Sequence, residues 1–375
     1  MKNTRRIFLL PEGFRVAGTH AGIKSGGHLD AGLVICDRPF PAAAVFTRNV
    51  NSAYSVQLCK SHLPAPVKAL LVNSGNANCF SHRNGLRDTA RAAASVAKKI
   101  GTRTENVLLF STGIIGKKLP FKKLTAAAEP LRRRAGRTRT HIDQFASSML
   151  TTDTRKKISC RRGTFTRGRG TITGFAKGAG MIRPDMATML AVVLTDVRIP
   201  KPTLRSMTRK AVEESFHTIS IDECMSTNDS VLVISSGKIP LTGNKEKARF
   251  SGMLSQTCGD LARQIVRDGE GATKFVEVRV RRARSKKEAK RAAAHIVQSL
   301  LFKCAMHGEN PNWGRIVAAL GHAGIAVDYP LKVRASDLRK RDIRITVDLN
   351  RGKDEWTMFT TDLSAEYVKI NAEYS

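Results

Sequence analysis

The stretch from Lys177 to Leu194 limits what this chain can fold into more than any other. Gly178 and Gly180 flank Ala179, so the backbone there can turn sharply or approach another strand closely. Pro184 fixes one φ angle and removes one N–H, which marks a stiff, non-helical approach. Thr188 then opens an apolar run, Met189 to Leu194, with the length and β-branched content of a buried strand. A hydroxyl residue at the mouth of a buried strand, reached through a glycine-rich turn, is a place where a nucleophile could be held rigidly. On spacing alone an ordinary first strand residue is the more economical reading, because threonine favours strands anyway.

A chain of 375 residues, 41% of them hydrophobic, can bury a large core and is expected to divide into two lobes. Short apolar runs alternate with helical patterns in both halves, which predicts layered α/β (α+β) architecture. Ala43–Phe46 and Ala69–Val72 read as strands, and Leu86–Ile100 carries alanines and a valine at helical spacing. Asn73-Ser-Gly-Asn-Ala-Asn78 reads as a loop and Asn106–Gly116 as a strand running into a turn of small residues. Further helices are expected over Ile142–Leu150, Leu204–Phe216, about Asp260–Val266 and Lys286–Leu301. Arg161–Gly170 reads as a basic loop or hairpin, followed by a strand over Thr171–Ala176.

No apolar stretch approaches the ~20 residues of a membrane helix, and Ile7–Leu10 is too short for a signal segment. Seven cysteines without a Cys-x-x-Cys pair predict free thiols in a reducing cytoplasm. His307-Gly-Glu309 lacks both the spacing and the third ligand of a zinc site, so no metal is expected. Gly113-Ile-Ile-Gly116-Lys117 is not a phosphate loop, since Ser111 and Lys118 stand where that pattern needs glycine and Ser or Thr. Sixty-four Lys and Arg against 31 Asp and Glu leave a net charge of +33. The basic clusters lack interleaved aromatics, so they read as solvated surface rather than a nucleic-acid platform.

Lys177-Gly-Ala-Gly-Met-Ile-Arg-Pro-Asp-Met-Ala-Thr-Met-Leu190 resembles the self-cleavage segment of the ornithine acetyltransferase (glutamate N-acetyltransferase) family. The likeness continues in order through Asn73–Asn78, Thr151-Thr-Asp-Thr154, Ser226-Thr-Asn-Asp229, Asp268-Gly-Glu-Gly-Ala-Thr-Lys274, Pro311-Asn-Trp-Gly-Arg-Ile316 and Tyr367–Tyr374. The chain departs from the family at Asp222-Glu-Cys224, where an acidic-glycine-acidic run is usual. It also departs over 326–344, which is short, and at Ser375, where a further hydroxyl residue is usual.

The resemblance implies cleavage between Ala187 and Thr188, giving an alpha chain of residues 1–187 and a beta chain of 188–375. Thr188 becomes an N-terminal nucleophile, with Thr112 and Gly113 as oxyanion hole and Thr154, Lys177, Thr188, Glu270 and Asn371 as substrate contacts. It implies layered sheets flanked by helices in a self-cleaving ornithine acetyltransferase/aminopeptidase-like fold, acetyl transfer from N-acetylornithine to glutamate in arginine biosynthesis, no cofactor, and a heterotetramer of two alpha and two beta chains. The new α-amino group would act as the base that a lone threonine hydroxyl needs, which suits a chain without a Ser-His-Asp or Cys-His motif. From charge, Lys177 would hold a substrate carboxylate and Glu270 an ammonium group. Acetyl-CoA as an additional acetyl donor stays open, as does a related self-processing aminopeptidase. A non-enzymatic polyanion binder ranks below both.

Overall fold

The computed structural model describes residues 8–183 and 189–373, and packing divides it into two compact units interleaved along the chain. The first holds the chain up to Gly178, the stretch that ends at Ser215, and Met225–Leu261. It contains two sheets. The four-stranded sheet has the order Phe14–Thr19, Ala31–Phe40, Val67–Asn76, Val107–Ile114. The five-stranded sheet has the order Ala42–Phe46, Ser230–Pro240, Leu190–Arg198, Gly168–Lys177, Lys157–Phe165.

The sheets share one core. Phe14, Val34, Leu70 and Phe110 from the first pack into a cluster with Phe175, Val192 and Ile234 from the second. The helix Arg139–Ser148 adds Phe145, whose ring meets Phe175 edge-on at 5.0 Å. The opposite face of the four-stranded sheet is covered by Gly85–Ile100 and Phe121–Arg134, through Ala92, Val96, Leu124 and Leu131. A strand covered on both faces needs an unbroken apolar run, and Leu190–Val197 is buried at every residue.

The second unit, built mainly from Ala262–Ser375, is a mixed sheet ordered Lys332–Ala335, Asp342–Asp348, Phe275–Ala283, Asp354–Thr361. Val276, Val278, Ile345 and Val347 pack against Ala292, Ile296, Phe302 and Leu320 from three helices. Mixed α/β architecture with helix-flanked sheets is therefore what the chain adopts.

Three local expectations change. The loop expected at Asn73–Asn78 is strand as far as Asn76, because the parallel neighbour Val107–Ile114 supplies the ladder through Asn73, Ser74 and Gly75. The helix expected over Lys286–Leu301 ends at Gln298. Ser299 then caps a new helix, Leu300–His307, by accepting from Phe302 N at 3.2 Å. The helix expected near Asp260–Val266 is the end of a 25-residue helix, Gly243–Arg267.

Candidate functional site

In the first unit, Thr112 and Gly113 lie near the end of Val107–Ile114, paired in parallel with Ser74 and Gly75. The register slips just beyond, between Gly75 and Asn76. Gly113 has φ 132°, and a Cβ there would strike the backbone of Gly75 and Asn76, so only glycine fits this approach. Thr112 is buried, and its Oγ1 accepts from Lys177 Nζ at 3.2 Å. The strand end is tied down by Asn228, whose amide donates to Ser111 O at 2.8 Å and Ala77 O at 2.6 Å.

Lys177 ends the strand Gly168–Lys177 and is 2% exposed. Besides Thr112, it donates to Thr151 Oγ1 at 2.8 Å and lies 3.8 Å from Asp153 Oδ2. A second buried lysine, Lys157, contacts Asp153 Oδ1 at 2.6 Å, and Gly178 N donates to the same oxygen at 2.6 Å. Burial works against ionisation of Asp153, but Lys177, Lys157 and the Gly178 N–H outweigh it and hold the carboxyl well below the usual range. Thr154, the last residue of its motif, is exposed. Asp153, its neighbour, is the residue of that run that faces inward, with a fully buried side chain.

Asp229 is another buried acid of this unit. Its Oδ1 accepts from Met189 N at 2.8 Å, and its Oδ2 has no hydrogen-bond partner among the described residues. Burial outweighs the Met189 N–H, the charge of Lys177 and the neighbouring Thr47 hydroxyl, and pushes its pKa well above the usual carboxylate value. Ala187 and Thr188 lie outside the described residues.

In the second unit, Glu270 follows the helix Gly243–Arg267, and its backbone N–H donates to Ala179 O at 2.9 Å. Asn371, on Ala365–Glu373, donates to Glu270 Oε2 at 2.9 Å, so these two expected contacts meet. A Cβ at Gly180 would run into the Glu270 carboxylate, which explains the second glycine of the Lys177–Gly180 run. Asp222 accepts from Met181 N at 2.6 Å, Ile182 N at 2.8 Å and Tyr367 OH at 3.2 Å. Lys303 is buried with its ammonium on Ile221 O at 2.5 Å and Thr361 Oγ1 at 2.9 Å. Burial lowers its pKa to about 8, against the pull of Asp222 and Asp362. His307 Nδ1 bonds Asp362 Oδ2 at 2.8 Å. Among the described residues there is no group of three or more His, Cys, Asp or Glu suited to a metal ion.

The profile of the ArgJ family matches residues 15–336 and 326–375. The chain belongs to the ArgJ family. The arginine biosynthesis bifunctional protein ArgJ of Geobacter sulfurreducens is 40% identical over 390 residues, spanning 97% of this chain and 99% of the relative. The ArgJ protein of Thermus thermophilus is 38% identical over 392 residues, spanning 98% and 99%. Among solved structures, ornithine acetyltransferase complexed with ornithine from Mycobacterium tuberculosis is 33% identical. It has a TM-score of 0.41 and covers 46% of this chain and 92% of that chain. Within this ArgJ-family chain, sequence reasoning missed Asp153, Lys157, Asp222, Asp229 and Lys303. A charged residue reads as surface until its distant partner is known.

Proposed function

We propose that this chain is an acetyltransferase of arginine biosynthesis that moves the acetyl group of N2-acetylornithine to glutamate through an acetyl-Thr188 intermediate. The observation that carries the reading is full-length kinship with proteins named for arginine biosynthesis, at 40% identity, in a chain that keeps the Lys177–Leu190 segment.

Two reactions share one nucleophile. Thr188 Oγ attacks the Ala187 carbonyl, the acyl group shifts from N to O, and water hydrolyses the ester, leaving chains 1–187 and 188–375. The freed α-amino group of Thr188 has a reference pKa of about 7.7–8.0, so much of it is neutral at slightly basic pH and can take the hydroxyl proton. That hydroxyl attacks the acetyl carbonyl of N-acetylornithine, and ornithine leaves with the proton. Glutamate then attacks the ester. Each step passes through an oxyanion, for which the Thr112 hydroxyl and Gly113 N–H are the proposed donors. Removing one such donor costs about 10²–10³ in kcat. Lys177 takes a substrate carboxylate, Glu270 and Asn371 its ammonium side, and Thr154 a further contact.

The reaction needs no cofactor, and the two processed chains are proposed to remain paired as a heterotetramer of two alpha and two beta chains. All seven cysteines are free, which suits a reducing cytoplasm. No helix among the described residues is long and apolar enough to cross a membrane. Acetyl-CoA as a second acetyl donor is the one further reading with an observation behind it, namely the word bifunctional in the relatives' names.

Intact mass of the denatured, purified protein, with N-terminal sequencing, tests the proposal. Two fragments beginning at residues 1 and 188 are expected, and Thr188→Ala gives an unbroken, inactive chain. Ornithine release from N-acetylornithine should occur in a burst without glutamate. An unbroken chain that transfers acetyl groups at full rate overturns the proposal.

A further inference from the structure

A cavity of about 560 Å³ in the first unit is lined by residues of two stretches, 82–91 and 118–123. The first opens the helix Gly85–Ile100 and the second opens Phe121–Arg134. Its size falls within the ~300–1,000 Å³ of small-molecule sites. Five cations line it: Arg87, Arg91, Lys118, Lys122 and Lys123. Among the described residues Asp88 is the one acid of this lining, and its carboxylate is already engaged, with His82 Nε2 at 3.0 Å and Arg91 at 3.5 Å. Lys123 donates to Gly22 O at 2.6 Å. The side chains of Arg87, Lys118 and Lys122 have no hydrogen-bond or ion-pair partner among the described residues.

A net charge of +33 accounts for cations spread over a convex, solvated surface. It does not account for gathering them in a concave wall, where like charges repel and the field is focused on whatever enters. The wall is also built rather than loose. Leu119 is buried in the core under the four-stranded sheet, which anchors the run Lys118-Leu-Pro-Phe-Lys-Lys123 between its lysines. The Asn76 amide donates to Lys117 O and Lys118 O, both at 3.1 Å, and Gly116 N–H donates to Cys79 O at 3.0 Å. Phe121 is half-buried and packs against the same core, leaving part of its ring in the lining.

We propose that this cavity binds a nucleoside carrying two phosphate groups, at a site that has no part in the Thr188 chemistry. Five cations against one carboxylate leave a surplus of four, with His82 neutral. A phosphate group carries about 1.5–2 negative charges at pH 7, so two of them match that surplus. Arginine forks bind phosphate oxygens in pairs, and lysines add compact charge. The ring of Phe121 offers a base a face on which to stack, which a bare phosphate would not use.

Calorimetry on the full-length protein, with ADP, pyrophosphate and adenosine as probes, tests the assignment. ADP is expected to bind with Kd below about 0.1 mM, and adenosine far more weakly. Arg87→Ala combined with Lys122→Ala should raise the ADP Kd at least about 100-fold, since each removes a charge-assisted bond. Both side chains are exposed, so the variant should fold, as thermal unfolding will show. Arg209→Ala, an exposed cation of the helix Lys201–Glu213, should change the Kd less than about twofold. Phe121→Ala should weaken ADP about tenfold and leave pyrophosphate unchanged. Absence of ADP binding at about 1 mM overturns the site. So does a double variant that binds as wild type does, or one that loses no more than Arg209→Ala. Pyrophosphate bound as tightly as ADP overturns the nucleoside part, and that comparison in wild type decides it even if Phe121→Ala does not fold.

Discussion

Asp153 and Asp229 both have buried side chains in the first unit, and their surroundings shift the two carboxyls in opposite directions. Asp153 meets Lys157 at 2.6 Å, Lys177 at 3.8 Å and the Gly178 N–H at 2.6 Å. Asp229 meets the Met189 N–H at 2.8 Å and feels Lys177 only as a more distant charge. Burial opposes ionisation in both cases. Cations in contact overcome it for Asp153, whereas an N–H, the neighbouring Thr47 hydroxyl and a distant lysine do not for Asp229. The number and kind of partners decide which way a carboxyl shifts in this interior.

The largest effect should come from Asp153→Asn, which removes the carboxylate facing two ammonium groups. Breaking a buried pair from one side costs about 3–5 kcal/mol, measurable by urea denaturation of the full chain. Its sign with pH follows from the depressed pKa: the stabilisation is present above the unfolded value of about 3.9 and is lost as pH falls toward the folded one. The deficit of Asp153→Asn should therefore be steady near neutrality and shrink below about pH 4. A loss under ~1 kcal/mol at pH 7 would mean that Asp153 is no more than a surface-strength pair, and the contrast with Asp229 would fall.

Glu270 extends the comparison to a carboxylate held by a neutral side chain, the Asn371 amide at 2.9 Å. If its remaining acceptor capacity serves a substrate ammonium, Glu270→Gln loses a charge-assisted bond of about 1.5–3 kcal/mol. That predicts KM for both amino-acid substrates raised about 10- to 100-fold, with cleavage at Thr188 unaffected. An unchanged KM would assign Glu270 to holding the Lys177–Gly180 turn alone.

Asp229→Asn should act on stability with the opposite pH sign to Asp153→Asn. A raised folded pKa means that stability is fully present below the unfolded pKa and declines as pH rises toward the folded one, by about 1.4 kcal/mol per pH unit. Asparagine does not titrate. The variant should therefore match wild type near pH 4 and gain on it steadily above, as read by thermal unfolding across the range. A difference independent of pH would show that Asp229 is ionised in the native chain.

Much of the scaffold was legible because its periodic signals are strong. Ala43–Phe46 and Ala69–Val72 fall inside the strands Ala42–Phe46 and Val67–Asn76, and Leu86–Ile100 inside the helix Gly85–Ile100. The resemblance also picked out Thr112 and Lys177, which the fold joins at 3.2 Å, and Glu270 and Asn371, which it joins at 2.9 Å. The buried ion network was not legible. Asp153 meets Lys177, and Asp229 meets Met189, only because of which strands pair, and no local pattern encodes that choice. Ser299 looked like one polar residue in a helical run, yet its hydroxyl serves the next helix better than the one it interrupts.

The smallest effect sharpens the contrast from outside the core. Glu223 is exposed, next to the half-buried Asp222, and occupies the left-handed region at φ 63°. The backbone here adopts the conformation that suits glycine. A side chain in that region costs about 1–2 kcal/mol, partly offset by the greater freedom of glycine in the unfolded chain. Glu223→Gly should therefore stabilise the protein by about 0.5–1 kcal/mol, with no pH dependence between 5 and 9. Glu223 also lines a cavity of about 480 Å³ with Arg183, His295 and His322. A stability loss on substitution, steepest below the histidine pKa of about 6.5, would show that its charge works there against protonated His295. Acidic residues of this chain would then act through partners on its surface as well as in its core.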